Sequence, residues 1–80
     1  MKNKYIIKTY EKEADNTSYY IYDRKIHKLM KDYKTIYVFP VYNANMDIVK
    51  VEVTMNVKNS EFKEVDEKIK AILSIKDEVQ

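Results

Sequence analysis

Hydrophobic and polar residues alternate most regularly in the segment DIVKVEVTMNV, residues 47–57. Every second position from 49 to 57 is apolar, and the positions between them are polar. A period of two over this length predicts a β-strand with one buried face and one face in contact with water. The apolar set consists of Val49, Val51, Val53, Met55 and Val57.

The preceding segment, TIYVFPVY at residues 35–42, is apolar on both faces. Alternation directs Tyr37, Phe39 and Val41 to one side, and it directs Ile36, Val38 and Tyr42 to the other. A short polar connection, NANM, separates this segment from the next strand, so the pair predicts an antiparallel hairpin. Proline cannot donate to a strand ladder, and Pro40 is therefore expected at a bulge or on an unpaired side.

The apolar spacing becomes helical after residue 59, which predicts a helix over roughly residues 60–77. Asn59 or Ser60 is expected to cap its first turn, where Glu61 and Glu64 suit the helix dipole. Two ion pairs at i,i+4 spacing are expected on its polar side, Glu64 with Lys68 and Asp66 with Lys70. The helix is expected to bury Phe62, Val65, Ile69 and Ile72 against Val49, Val51, Val53 and Met55.

The first part of the chain is less regular. KYIIKTYE, residues 4–11, is rich in β-branched and aromatic residues and predicts a strand, which the polar loop KEADNTS follows. Residues 18–33 fit two patterns, a helix from Ser18 or a hairpin turning at Asp23 and Arg24. The strand propensity of the tyrosines favours a strand at 17–22, followed by a helical or irregular turn at 24–32. In the helical alternative the apolar stripe comprises Tyr19, Tyr22, Ile26, Leu29, Met30 and Tyr33.

Strands followed by a helix predict an α+β fold, a small antiparallel sheet of three or four strands with one C-terminal amphipathic helix packed on one face. The 80 residues are expected to form a single domain, 1–80. The chain contains no glycine. Left-handed backbone positions are therefore expected at asparagine or aspartate.

The composition excludes several kinds of chemistry, but it does not identify a function. The absence of glycine excludes Gly-rich phosphate loops, and the absence of cysteine excludes disulfides and thiolate metal sites. One histidine and three serines give no catalytic triad pattern. The sequence therefore predicts no catalytic residue, no cofactor and no metal, and we expect a protein that is not an enzyme.

No apolar run reaches the length of a signal peptide core or of a membrane span. We therefore expect a cytoplasmic protein, in the host cytoplasm if the chain is phage-encoded, with no membrane partner. The net charge is +2, with the positive charge concentrated in the first half of the chain.

Two hypotheses for function follow from these patterns. The first is a small protein-binding module, expected to act as an inhibitor or modulator that occupies a surface of a larger host protein. Short, glycine-free chains with no motif and with the composition of an AT-rich genome are common among phage and mobile-element accessory proteins, which is an association and not a physical argument. One helix can cover one sheet face, so the other face is expected to bind a partner protein or a second copy. The expected contact residues are Tyr37, Phe39 and Tyr42.

The second hypothesis is a small basic nucleic-acid-binding protein that uses residues 19–34. Tyrosines can stack on bases while basic side chains neutralise phosphates. The candidate contacts are Tyr20, Arg24, Lys28 and Lys31. A chain without glycine cannot contain an RNP-like or KH-like loop, and arginine, the preferred base reader, occurs once. Basic stretches are also usually solvated faces, so this hypothesis ranks second.

Overall fold

The computed structural model describes residues 4–74 and shows an α+β fold. Three strands form one antiparallel sheet in the order β1-β3-β2, and two helices pack on it. This confirms the predicted fold class, including a C-terminal helix on one face of the sheet. The elements are β1 (Tyr5–Glu13), α1 (Asn16–Met30), β2 (Ile36–Tyr42), β3 (Ile48–Lys58), a short 3₁₀ turn (Asn59–Glu61) and α2 (Phe62–Leu73).

Helix α1 occupies the segment for which we favoured a strand at residues 17–22, and that prediction is wrong. A capping box begins the helix, because Asp15 Oδ1 accepts the Ser18 N–H at 2.8 Å and Ser18 Oγ accepts the Asp15 N–H at 2.9 Å. Tyr19, Ile26 and Leu29 then lie on one side and are buried. Burial of this helical stripe outweighs the local strand propensity of the tyrosines.

Both helices lie on the same face of the sheet and share one core with it. The largest fully buried side chains of that core are Ile26, Ile36, Met55, Ile69, Leu73, Val51, Val53 and Val65. Phe62 and Ile72 on α2, predicted as core residues, are only partly buried. Leu73 is fully buried at the end of α2. The sheet therefore has one face covered by helices and one that no element within residues 4–74 covers.

Val49 does not join the core as predicted. The register shifts between Val41 and Tyr42, so that Tyr42 lies opposite Ile48 and Val49 becomes an extra residue in β3. Ile48 is buried in the core, whereas Val49 is exposed and its carbonyl accepts the Ala14 N–H at 3.1 Å. The bulge breaks the alternation that the sequence shows from residue 49 onward.

The backbone nitrogen of Pro40 lies on the outer side of β2, which is an edge strand of the sheet. The Asn56 N–H donates to the Thr35 carbonyl at 3.0 Å, and bonded and unbonded pairs alternate from there along the ladder. Pro40, opposite Val51, falls in an unbonded pair, so its nitrogen faces away from β3. The prediction of an unpaired side is therefore confirmed.

Left-handed backbone occurs at Met46, with φ 68°, and at Ser74, with φ 58°. The prediction that asparagine or aspartate would take such positions is therefore wrong for the described residues. In the β2–β3 loop, Asn43 instead uses its side chain, which accepts the N–H groups of Asn45 and Asp47 at 2.9 and 3.0 Å. In this turn the residue with left-handed backbone is therefore Met46.

The start and end of α2 also differ from the prediction. The 3₁₀ turn precedes the helix, and neither N-cap residue, Lys58 or Glu61, makes a side-chain capping hydrogen bond. Asn59 and Ser60 therefore do not cap the helix. It ends at Leu73 with Ser74 as the C-cap, and predicted positions 75–77 lie outside the described residues.

Candidate protein-binding surface

The uncovered face of the sheet, which we call the open face, is defined by strand alternation opposite the core. Register places Tyr37 opposite Thr54, and Thr54 opposite Thr9, in the middle of this face. The open face comprises Tyr5, Ile7, Thr9, Glu11 and Glu13 of β1, Lys50, Glu52, Thr54 and Asn56 of β3, and Tyr37, Phe39 and Val41 of β2.

Tyr37 and Phe39 form the aromatic part of the open face. Their rings stack with centroids 6.5 Å apart and an interplanar angle of 20°. Both side chains project from the same side of β2, and each residue is 49% exposed. Stacked aromatic residues that remain this exposed offer a large apolar contact area. The structure thus brings together two of the three residues expected to bind a protein.

Further apolar residues occupy the β1 side of the open face. Ile7 is 68% exposed, and Tyr5 is also largely exposed. Thr9 and Thr54 lie between them and the aromatic pair, with their hydroxyl oxygens 3.0 Å apart. The open face is therefore apolar at two places and hydroxyl-bearing between them.

One end of the open face is acidic. Glu11 and Glu52 lie opposite each other on β1 and β3, and Glu13 lies opposite Lys50. The Lys50 ammonium pairs with the Glu11 carboxylate at 3.2 Å. Three carboxylates against one lysine give this end a negative charge beside Phe39. A complementary surface would present apolar side chains and cations.

Tyr42 and Tyr20 lie away from the open face. Tyr42 is on the helix side of the sheet, near Tyr19, and Tyr20 packs edge-on against Tyr19 with centroids 5.4 Å apart. Burial, with the nearby charge of Asp23, raises the pKa of Tyr19 to about 12. Tyr42 and Tyr20 are both more than half exposed. The structure thus separates Tyr42 from Tyr37 and Phe39.

The basic side chains of α1 share its solvent side. Tyr20, Arg24, Lys28 and Lys31 are spaced by four, four and three residues, which places them on one face of a helix, and all four are exposed. We call this set the basic face. Asp23, beside it, is partly buried, and its carboxylate lies 3.2 Å from His27 Nδ1. The four residues expected to contact nucleic acid are therefore brought together.

A cluster around Asp66 was not found by sequence reasoning, although the Asp66–Lys70 pair was predicted. Asp66 accepts hydrogen bonds from Tyr10 and from Lys8, the latter at 2.9 Å, and it pairs with Lys70 at 3.1 Å. Burial alone would raise the pKa of Asp66, but the hydrogen bonds from Tyr10, Lys8 and Lys70 together lower it. Burial and the Asp66 carboxylate raise the pKa of Tyr10.

Perturbed pKa values often mark functional sites, but ion-pair networks within a fold perturb them too. Tyr10 and Lys8 are on β1 and Asp66 is on α2, so this cluster fastens α2 to the edge of the sheet. We therefore assign it a structural role.

An open depression of about 480 Å³ lies elsewhere, where β1 turns into α1. Its lining includes Glu13, Asp15 and Ser18, but none of the predicted contact residues. Asp15 and Ser18 are already bonded to each other in the capping box. Within residues 4–74, no three histidine or carboxylate side chains are grouped closely enough to hold a metal ion.

The helices of the described region are α1 and α2, and neither is long and apolar enough to cross a membrane. Comparison of the chain with protein-family models, with curated proteins and with solved structures finds no match.

Proposed function

We propose that this protein is a non-enzymatic binding module that uses the open face of its sheet to occupy a surface of a larger protein. The observation that carries the proposal is the stacked pair Tyr37 and Phe39, half exposed on a sheet face that no described helix covers. Aromatic side chains dominate the energetics of many protein interfaces. Inhibition or modulation of a host protein, in the cytoplasm of a cell invaded by a phage or mobile element, is the role we propose.

The charges of the open face specify the kind of partner. Glu52 lies opposite Phe39 at the acidic end, and Glu13 lies at the same end on β1. A complementary partner surface would place apolar side chains over Phe39 and lysine or arginine side chains over these carboxylates. The rate of association between the two proteins would fall as salt concentration rises, because charges at the rim of an interface mainly speed the diffusional encounter and salt screens them.

The test is a double variant, Tyr37→Ser with Phe39→Lys, used as bait in a pull-down beside the unmodified protein. Both side chains are outside the core, so the variant is expected to fold. Met46→Lys is the matched control, because Met46 is exposed at 72% in the loop and does not belong to the open face. We expect the control to retain a stoichiometric partner and the double variant to lose it. Retention by the folded double variant would contradict the proposal.

A second function, nucleic-acid binding through the basic face, is favoured by one observation. Arg24, Lys28 and Lys31, the C-cap residue of α1, align with Tyr20 on a single exposed side of the helix. Such an arrangement can neutralise successive phosphates while the tyrosine stacks on a base.

The test of this second function is retention on immobilised oligonucleotides as salt concentration increases. Binding through phosphates should weaken steeply with salt, and Arg24→Glu with Lys28→Glu should abolish it. Lys63→Glu with Lys68→Glu on α2 is the control, because both lysines are exposed and lie outside the basic face. Equal loss in both double variants would show non-specific attraction and would contradict a site on α1.

A further inference from the structure

The two edges of the sheet differ in what they can bind. On β1, the Asn59 N–H donates to the Lys4 carbonyl at 2.7 Å, and the Ala14 N–H donates to the Val49 carbonyl at 3.1 Å. Hydrogen-bonded and non-hydrogen-bonded pairs alternate between these two points. The backbone groups of the even-numbered residues of β1 therefore bond to β3. The odd-numbered residues direct their N–H and C=O groups outward. They are Tyr5, Ile7, Thr9, Glu11 and Glu13.

The outer edge of β2 is less suited to receive another strand. Its outward groups belong to Ile36, Val38 and Pro40, and Pro40 has no N–H. Proline on an edge strand is a common obstacle to further pairing. Strand β1 has nine residues, with neither proline nor glycine. It is therefore the edge with a complete row of outward donors and acceptors.

Charged side chains on an edge strand also discourage pairing, but two of those on β1 already have partners. Lys8 is held by Asp66 at 2.9 Å, and Glu11 is held by Lys50 at 3.2 Å. The exposed apolar residues Tyr5 and Ile7 lie on the same strand. A long edge strand with exposed apolar side chains is a site at which another chain can add.

We propose that the protein forms a two-fold symmetric dimer in which β1 pairs antiparallel with β1 of a second copy, with Thr9 facing the partner's Thr9. Each facing pair of outward residues would exchange two hydrogen bonds, and the two sheets would become one sheet of six strands. Two-fold dimers are the commonest soluble oligomers, and burying an edge adds stability to a small domain.

The absence of like-charge pairs favours this register. Ile7 faces the partner's Glu11, and Lys8 faces the partner's Tyr10, so neither pair sets like charges against each other. No like charges face each other anywhere along the nine residues. A shift of the pairing by one residue on each strand puts Lys8 opposite Lys8 or Lys12 of the partner, and like charges directly opposite destabilise a sheet. The register with the greatest overlap is thus free of such repulsion.

The dimer does not depend on the function proposed above, since its contacts are on β1 and the aromatic pair is on β2. The open faces of the two copies would lie side by side on the same side of the joined sheet. Both basic faces would remain exposed. A Tyr37→Ser, Phe39→Lys variant that loses its partner protein should therefore stay dimeric.

The test compares Ile7→Glu with Ile7→Lys by sedimentation equilibrium. Both substitutions remove the same apolar side chain, but glutamate would face the partner's Glu11 whereas lysine would pair with it. The two-fold axis gives each dimer two contacts between residue 7 and Glu11. We therefore expect Ile7→Glu to weaken the dimer about tenfold and Ile7→Lys to preserve it. Equal weakening in both variants would overturn the register, and a monomeric unmodified protein would overturn the dimer.

Residue-resolved amide hydrogen exchange tests the backbone pairing directly. The amides of Ile7, Thr9 and Glu11 should be protected in the dimer and should exchange faster in Ile7→Glu, while the outward amide of Val38 on β2 exchanges quickly in both. Thr9→Pro removes an outward N–H without removing a bond to β3, and we expect it to be a folded monomer. Fast exchange at these β1 amides in a confirmed dimer would place the interface elsewhere and overturn the proposal.

Discussion

The phenol of Tyr10 on β1 donates a hydrogen bond to the carboxylate of Asp66 on α2. Lys8 and Lys70 contact the same carboxylate from the strand and from the helix. Tyr10 is 5% exposed, and its hydroxyl would be costly to bury without this acceptor. One carboxylate therefore satisfies a buried phenol and two ammonium groups, and it joins the last described helix to the first strand.

Replacing Asp66 with asparagine should destabilise the fold. The amide keeps the shape of the side chain but loses the charge that holds Lys8 and Lys70, and hydrogen bonds to charged groups contribute the most. We expect the free energy of unfolding to fall by about 2–3 kcal/mol at neutral pH in urea titrations. Glu67→Gln, at the exposed neighbouring position, is the control and should change it by about 0.5 kcal/mol or less.

The same carboxylate predicts how stability depends on pH. The folded state lowers the pKa of Asp66, so the unfolded chain binds the proton more tightly. This contribution is fully present above the ordinary aspartate pKa of about 3.9, and it is lost as pH falls through the folded value. The stability difference between the unmodified protein and Asp66→Asn should therefore be smaller at about pH 2 than at about pH 6. A difference that stays constant over this range would contradict the assignment.

Ile69 is fully buried in the centre of α2, among the valines of β3. Truncation to alanine leaves a cavity and removes apolar contacts, so Ile69→Ala should lower the free energy of unfolding by about 2–4 kcal/mol. Such a loss is a large fraction of the stability of so small a domain. Lys68→Ala on the exposed side of the same helix is the control, and an unchanged melting temperature for Ile69→Ala would disprove the packing.

Met46 holds a left-handed backbone conformation in the β2–β3 loop. A side chain beyond Cβ makes this conformation costly, and glycine adopts it freely. Because Met46 is highly exposed and contributes little to the core, Met46→Gly should stabilise the protein by about 1 kcal/mol in urea titrations.

Ala44→Gly is the matched control for Met46→Gly, because Ala44 lies in the same loop and its φ is not positive. Glycine there only increases the freedom of the unfolded chain, and we expect slight destabilisation. Stabilisation by both substitutions would show that loop flexibility, and not the left-handed position, is responsible.

Strand β3 and helix α2 could be predicted because their periods are unambiguous. Alternation from Val51 to Val57 fits a strand, and the spacing of Val65 and Ile69 fits a helix. The hairpin of β2 and β3 followed from their closeness along the chain. Strand alternation in β2 likewise predicted that Tyr37 and Phe39 share a side opposite Ile36.

The segment at residues 16–30 shows why periodicity did not suffice. Both a helix and a hairpin placed apolar residues on one face, and the strand propensity of the tyrosines favoured the wrong one. Burial of Tyr19, Ile26 and Leu29 beside α2 on the same sheet face stabilises the helix. Local propensity does not include the free energy of that burial.

The sequence by itself determined the α+β class, the strand and helix periods of the second half and, except for Val49, which apolar residues of β3 share a face. Only the tertiary structure decided that α1 is a helix, that Val49 is bulged out of the core and that Tyr10 meets Asp66. Those outcomes depend on contacts between residues far apart along the chain, such as Tyr10 and Asp66, whose sequence separation is 56. Local patterns encode how each segment alternates, but the free energy of packing one segment against another exists only once they have come together.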